Sequence, residues 1–329
     1  MSDEDGIAGE DALIRGYFAP LAAGFSGAFG LDEDCAALTP EPGHDLVLKT
    51  DAIAEGVHFR PEDQPEDIAW KALAVNVSDL AGKAARPVGY LLSLAFPSMP
   101  DRSWLERFSG GLSTAQEHFG LVLMGGDTDR RPNAPLSVTI MAIGSVPSGR
   151  MVRRGTAKAG DLVYVSGTLG DSAIGLRVPD QIAAADKAYL EKRYLRPAPR
   201  LALRDALLGY ANAAMDISDG LVKDLGRLCR ASGLAAEIHA EAVPLSEAAR
   251  RAIDLQAELR LFPLAGGDDY EILTSISPDR ALAFETSANA AGVRVTRIGS
   301  LQQGSGIRVL GPDGQPIALP RSGYDHFQR

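Results

Sequence analysis

A helix that is apolar on nearly every side must be buried on nearly every side, and this chain contains one. The stretch "PEDIAWKALAVNVSDLAGKAA" has Pro65 near its start and is rich in alanine and leucine, which predicts a helix. From Ile68 to Ala85 the residues Ala69, Trp70, Ala72, Leu73, Val75, Val77 and Leu80 leave no wide polar face. One residue breaks the pattern. At about 100° per residue, Asp79 falls on the face of Ile68, Ala72 and Val75. A carboxylate buried there alone would be costly or would hold a proton, so it needs a cation. Lys83 at i+4 is one source. A magnesium ion shared with other aspartates is the alternative, because hard oxygen ligands without histidine or cysteine clusters favour Mg²⁺ over zinc.

Around this helix, short apolar strands alternate with helices, the α/β or α+β pattern. An amphipathic helix is expected over "EDALIRGYFAP" and a strand from Leu46 to Leu48. "PVGYLLSLAFP" reads as a buried strand bounded by prolines, and "DRSWLERFSGGLSTAQEHFG" as a helix that Gly110 and Gly111 bend or break. The pattern pauses at "VPSGRMVRRGTAKAGD", where proline, glycine and basic residues cluster, so two domains are expected, 1–148 and 149–329. In the second, Leu221, Leu225, Leu228 and Cys229 fall on one helical face.

Several aspartates stand where apolar runs meet glycine, serine or threonine: Asp34, Asp51, Asp127 in "LVLMGGDTDR", and Asp216 and Asp219 in "MDISDGL". A carboxylate at a strand tip projects from a rigid element, and neighbouring glycines let a ligand approach the backbone. Aspartate and glycine are also ordinary turn formers, and Thr128 reads as the cap of such a turn. The net charge of −10 argues against a nucleic-acid or membrane-surface binder. It permits a polyphosphate ligand if divalent cations lie between the negative groups. The segment "MSDEDGIAGEDALIRG" lacks an apolar signal region, and Cys35 and Cys229 form no CxxC pair, so a reducing cytoplasm is expected. P-loop, dinucleotide-binding, nucleophile-elbow, HExxH and protein-kinase signatures are missing. Arg154 is the basic residue chosen first for a nucleotide.

Taken in order, "DEDCAAL", "KTDAIAEGVHF", "KALAVNVSDLAGKAARP", "MGGDT", "MDISDGL" and "GGDDYEIL" resemble the thiamine-monophosphate kinase family, within the superfamily of aminoimidazole ribonucleotide synthetase and selenophosphate synthetase. The resemblance runs from about residue 10 to the terminal "GYDHF". It implies a two-domain fold whose N-terminal sheets pair across a homodimer, with an α/β C-terminal domain. It also implies direct, in-line phosphorylation of thiamine monophosphate by ATP. Carried over residue by residue, Asp34, Thr50, Asp51, Asp79, Asp127, Asp216 and Asp219 would hold several Mg²⁺ ions. Gly126, Asp127, Arg154 and Ser218 would contact ATP, and His58, Asp268 and Tyr324 the thiamine phosphate. No dedicated base is implied. The N-terminal domain would bind ATP and Mg²⁺ and dimerise, and the C-terminal domain would complete the nucleotide and substrate site.

Three positions depart from the family pattern. Asp32-Glu33-Asp34 stands for a Gly-Asp-Asp run, Lys49 for the serine before Thr50-Asp51, and Asp268 for a glutamate. Two rivals follow: another ATP-dependent enzyme of the superfamily, and a non-catalytic Mg-nucleotide sensor. Cys35, inside an apolar run and without a nearby catalytic lysine, reads as a buried structural thiol.

Overall fold

The computed structural model describes residues 9–319 and 323–324, so the acidic residues 1–8 and positions 325–327 of the terminal motif lie outside the described residues. The chain forms two compact units. The first reaches to Leu80 and resumes over Ala85–Gly149, and the second takes Ala81–Ala84 and the chain from Arg150 onward.

The first unit is built on a four-stranded sheet, β1 (His44–Ala54), β2 (Arg86–Phe96), β3 (Leu123–Arg130) and β4 (Ser137–Pro147), in the order β1-β4-β2-β3. The helix Arg102–Phe119 links β2 to β3, which pair in parallel; the other pairs are antiparallel. Alternation in β4 shows why the sheet is two-faced. Val138, Ile140 and Ala142 are fully buried, while Thr139 and Met141 on the opposite face are half-buried. Leu80 of the helix Pro65–Gly82 reaches the buried face, 3.1 Å from where a Cβ on Gly144 would stand.

That helix is the apolar one of the sequence, and Ala69, Leu73, Ala74, Val77 and Leu80 are all fully buried. It packs against its neighbour through Trp70, whose ring lies 4.9 Å from Phe119 and 5.0 Å from His118. The Gly110–Gly111 pair does not break Arg102–Phe119. Gly111 is where the two helices meet: a Cβ there would stand 2.6 Å from Glu66 Cα. The Asp101 carboxylate caps this helix by accepting from the Trp104 amide at 2.7 Å, and Gly120 ends it in a left-handed conformation. At the N-terminal end, Glu10–Leu13, Ile14–Phe18 and Ala19–Ala22 follow one another as α, π and α turns, burying Leu13, Phe18 and Leu21.

One expectation is corrected here. The "LVLMGGDTDR" strand does not end at its glycines. β3 runs through Gly125, Gly126 and Asp127, with Thr128 opposite Leu94 of β2, so Thr128 caps no turn. Gly126 lacks a side chain because a Cβ would collide with the Leu92 carbonyl oxygen.

The second unit contains a six-stranded sheet, β5 (Leu162–Ser166), β6 (Ala211–Ile217), β7 (Leu234–His239), β8 (Glu271–Ile276), β9 (Val295–Gln303) and β10 (Gly306–Leu310), ordered β10-β7-β9-β5-β8-β6. Only β10 and β7 pair in parallel among these strands. Every residue of β5 and β8 is buried, so both faces are covered. Val163 and Val165 join a core with Leu221, Leu225, Leu228 and Cys229 of the helix Leu221–Ser232, while Tyr164 packs on the other side with Leu207 and Phe284. Among the described residues no helix is long and apolar enough to cross a membrane. Truncating the fully buried Leu225 to alanine should cost about 2–5 kcal/mol of unfolding free energy, read from urea denaturation of the second unit; a loss below about 1 kcal/mol would contradict this core assignment.

Candidate functional site

In the first unit, the Asp79 carboxylate meets its cation from β1. Lys49 Nζ stands 2.7 Å from Asp79 Oδ2 and 3.0 Å from Asp51 Oδ2, bridging the two carboxylates. Lys83, the i+4 expectation, donates to the Ala214 carbonyl oxygen at 2.8 Å. Desolvation pulls the Lys49 ammonium down, but the two carboxylates together raise it above its ordinary value. Desolvation pushes the Asp51 carboxyl up, Lys49 opposes this, Asp79 adds to it, and the net shift is upward. Two carboxylates placed this close require the positive charge between them.

The placement of Asp51 is set by a residue that sequence reasoning passed over. Asn76, fully buried in the Pro65–Gly82 helix, accepts from the Asp51 amide at 2.8 Å and donates from Nδ2 to Ala72 O at 3.0 Å. Its Nδ2 also reaches to 3.5 Å from Asp51 O. Asn76 and Asp79 are three residues apart on one helix face, so the side chain that holds the Asp51 backbone also fixes its distance from Asp79. The signal in the sequence was an amide inside an otherwise apolar helix. Thr50 donates its hydroxyl to Ile140 O at 3.1 Å. His58 closes the turn after β1: its amide donates to Ala54 O at 2.9 Å, and its Nδ1 accepts from the Ala54 amide at 3.0 Å, so the neutral ring carries its proton on Nε2.

On the half-buried face of the same sheet lies a cavity of about 620 Å³. Its apolar floor includes Leu91, Met141 and Ile143, and its wall brings Asp34 together with Gly126 and Asp127. Cys35 also lines it and is exposed, which corrects the expectation of a buried thiol. The apolar neighbours of Cys35 misled, because residues 32–37 are all exposed. Cys229 is the buried thiol, and burial pushes it up to about 11.

In the second unit, two loops are joined by backbone hydrogen bonds. The Asp268 amide donates to Ser218 O and the Tyr270 amide to Ile217 O, both at 2.8 Å. Asp268 and Tyr270 take positive φ values of 65° and 52°, unusual for residues with side chains. The Tyr324 amide donates to Asp219 O at 3.0 Å. Ser218, Asp219, Asp268 and Tyr324 are thus brought together. Asp216 sits beside them at the end of β6, 4% exposed. The loop is shaped by Asp224, another residue missed in the sequence. Its Oδ2 accepts from the amides of Ser218, Asp219 and Gly220 at 3.0, 2.9 and 3.2 Å. Desolvation raises the Asp224 carboxyl, while Arg227 at 2.6 Å and the loop amides oppose it. Asp219 is paired with Arg227 and with Lys223, the latter at 3.2 Å.

Behind the Asp268 loop, fully buried Glu271 accepts from Arg193 at 2.8 Å, from Arg200 Nε at 2.6 Å and from the Ser166 hydroxyl at 2.5 Å. Burial holds the adjacent Asp269 carboxyl well above its usual range, opposed by the Gly170 amide and Arg193. Arg154 is not brought to these loops. It is exposed, and its carbonyl accepts from Ser232 at the C-terminal end of the Leu221–Ser232 helix, about 18 Å along the axis from the Ser218 end.

Among the described residues, no three His, Cys, Asp or Glu side chains stand together as a metal cluster. The donor chemistry still fits a hard divalent cation: the groups are carboxylate oxygens, and Asp51 and Asp79 already converge on one positive charge.

Residues 32–146 match the family described as AIR synthase related protein, N-terminal domain, and residues 158–311 match its C-terminal domain. The thiamine-monophosphate kinase of Escherichia coli is 40% identical over 324 residues, covering 97% of this chain and 98% of that protein. The Caulobacter vibrioides thiamine-monophosphate kinase is 40% identical over 311 residues, covering 93% and 88%. The crystal structure of thiamine-monophosphate kinase from Stenotrophomonas maltophilia superposes with a TM-score of 0.79 at 38% identity, covering 87% of this chain and 91% of that one. AaThiL complexed with AMPPCP and TMP superposes with a TM-score of 0.77 at 33% identity, covering 92% and 97%.

Two outcomes are expected from this geometry. A thiol reagent at pH 8 should label Cys35 quickly and Cys229 only after unfolding; fast labelling of both would contradict the burial of Cys229. Asn76→Ala leaves the Asp51 amide without its partner and should cost about 1–3 kcal/mol in denaturation; an unchanged midpoint would remove Asn76 from its positioning role.

Proposed function

Because the chain belongs to the thiamine-monophosphate kinases of the AIR synthase related family, we propose that it phosphorylates thiamine monophosphate with ATP, releasing thiamine diphosphate and ADP. The observation that carries this reading is the pair Asp51 and Asp79, held on a strand and a helix and already converging on a cation. Phosphoryl transfer asks a protein for positioning and charge neutralisation more than for covalent chemistry.

In the first unit Asp34, Thr50, Asp51, Asp79 and Asp127 would hold Mg²⁺, and in the second Asp216 and Asp219. Bound there, the metal supplies positive charge against the β- and γ-phosphates. The backbone at Gly126 and the Ser218 hydroxyl serve ATP; Arg154, about 18 Å along the helix axis from the Ser218 end, would reach only a part of the nucleotide remote from Ser218. His58, Asp268 and Tyr324 serve thiamine phosphate. The acceptor is a phosphate monoester with ionised oxygens, so no residue has to remove a proton. One acceptor oxygen bonds to the γ-phosphorus as the bond to the β–γ bridging oxygen breaks, and ADP leaves with that electron pair. The His58 ring, fixed by its Nδ1 contact, presents the Nε2–H as a donor suited to a phosphate oxygen. Tyr324, 49% exposed, offers a π-face suited to a cationic thiazolium.

The first unit is also the proposed dimerisation domain. β1 is an edge strand, and its Leu48 and Leu46 side chains are 63% and 36% exposed, which suits pairing with a second copy. In the second unit the proposed nucleotide and substrate residues Ser218, Asp268 and Tyr324 lie together. Both cysteines are free, in keeping with a cytoplasmic enzyme.

Incubation with Mg-ATP and thiamine monophosphate should yield thiamine diphosphate and ADP one for one; Mg-ATP binding without product would favour the sensor reading. Asp127→Asn should lower turnover by about 100-fold or more with the fold intact, and near-normal turnover would remove Asp127 from the metal set. His58→Ala should raise the KM for thiamine monophosphate more than that for ATP; an unchanged acceptor KM would leave His58 as a turn-closing residue only.

A further inference from the structure

Resting on the kinase reading above, we infer that Lys49 is a built-in cation which takes the place of one divalent ion between Asp51 and Asp79, so that this chain loads one fewer metal ion than its carboxylates would otherwise hold. Its ammonium stands 2.7 Å from Asp79 Oδ2 and 3.0 Å from Asp51 Oδ2. A magnesium ion bridging those same oxygens, with metal–oxygen distances of about 2.0–2.1 Å, would need the space the ammonium fills. Two cations cannot share that space.

The local structure makes this arrangement hard to avoid. Lys49 and Asp51 are two residues apart on β1 and therefore point to the same face of the sheet. The Asp51 backbone is clamped by Asn76, and Asp79 lies one helical turn beyond Asn76. Strand and helix together place both carboxylates within reach of this lysine. The second oxygen of each carboxylate, Oδ1, remains the one suited to neighbouring ions. The charge is also covalently attached: a lysine does not dissociate when metal is scarce, so half of the charge on the carboxylate pair is offset before any metal or nucleotide arrives.

The test counts metal ions. Full-length wild type, Lys49→Ser, Lys49→Met and Lys49→Arg are titrated with Mn²⁺ in the presence of AMPPCP, and bound Mn²⁺ per chain is read by electron paramagnetic resonance. The serine and methionine variants should each bind one Mn²⁺ more than wild type, and the arginine variant should match wild type. In the metal-free state, the two neutral variants should melt at a lower temperature than wild type and regain more of it on adding Mg²⁺. Equal, non-zero counts in all four proteins would overturn the inference. Methionine provides a second neutral side chain should the serine variant fail to fold. Thiamine diphosphate formation is assayed in parallel. Equal counts in a protein that makes product overturn the role of Lys49 alone, whereas the expected difference without product overturns the kinase reading alone. Absence of Mn²⁺ binding in every form overturns both.

Discussion

Carboxylates set side by side repel one another, and this protein sets them side by side in each of its two units. Positive charge at those points offsets the repulsion. In the first unit Lys49 joins Asp51 to Asp79. In the second, Lys223 and Arg227 hold Asp219, and Arg227 also pairs with Asp224. Only Asp224 among these carboxylates is fully buried, and an unpaired charge there would be costly, so Arg227 is required for structure as well as for charge balance. The same concentration of negative charge, on a chain of net charge −10, disfavours direct capture of a polyphosphate and favours a cation as the intermediary.

Rigidity comes from hydrogen bonds between backbone amides and buried side chains. Asn76 fixes Asp51 from a buried helix, and Asp224 gathers three consecutive amides of the Ser218–Gly220 loop. Glu271, held by two arginines and a serine, anchors the start of β8 directly behind the Asp268 loop. The positive φ values at Asp268 and Tyr270 persist because this anchor and the bonds to Ile217 and Ser218 fix the chain on both sides.

Much of this was legible in the sequence wherever the signal was local and periodic. The apolar helix around Asp79 is where its composition puts it, and Leu221, Leu225, Leu228 and Cys229 share one buried face. What escaped was tertiary. The helical i+4 rule pointed to Lys83 for Asp79, but the cation found there is Lys49, thirty residues away and on a strand. Gly125 and Gly126 read as turn formers, yet they continue β3, because Gly126 is required by the close approach of Leu92 O rather than by a bend. The apolar neighbours of Cys35 suggest burial, yet that segment is exposed. Glu271 and its partners Arg193 and Arg200 are more than seventy residues apart in the chain, a separation no local pattern reports.

The central claim is that cations must lie between this protein's carboxylates and the phosphates of its nucleotide. Calorimetric titration of the full-length protein with AMPPCP tests it, once in excess Mg²⁺ and once in a chelator. The account predicts binding in Mg²⁺ and none detectable without it. Equal affinity in the chelator would contradict it and would mean that the protein's own basic groups suffice to hold the polyphosphate.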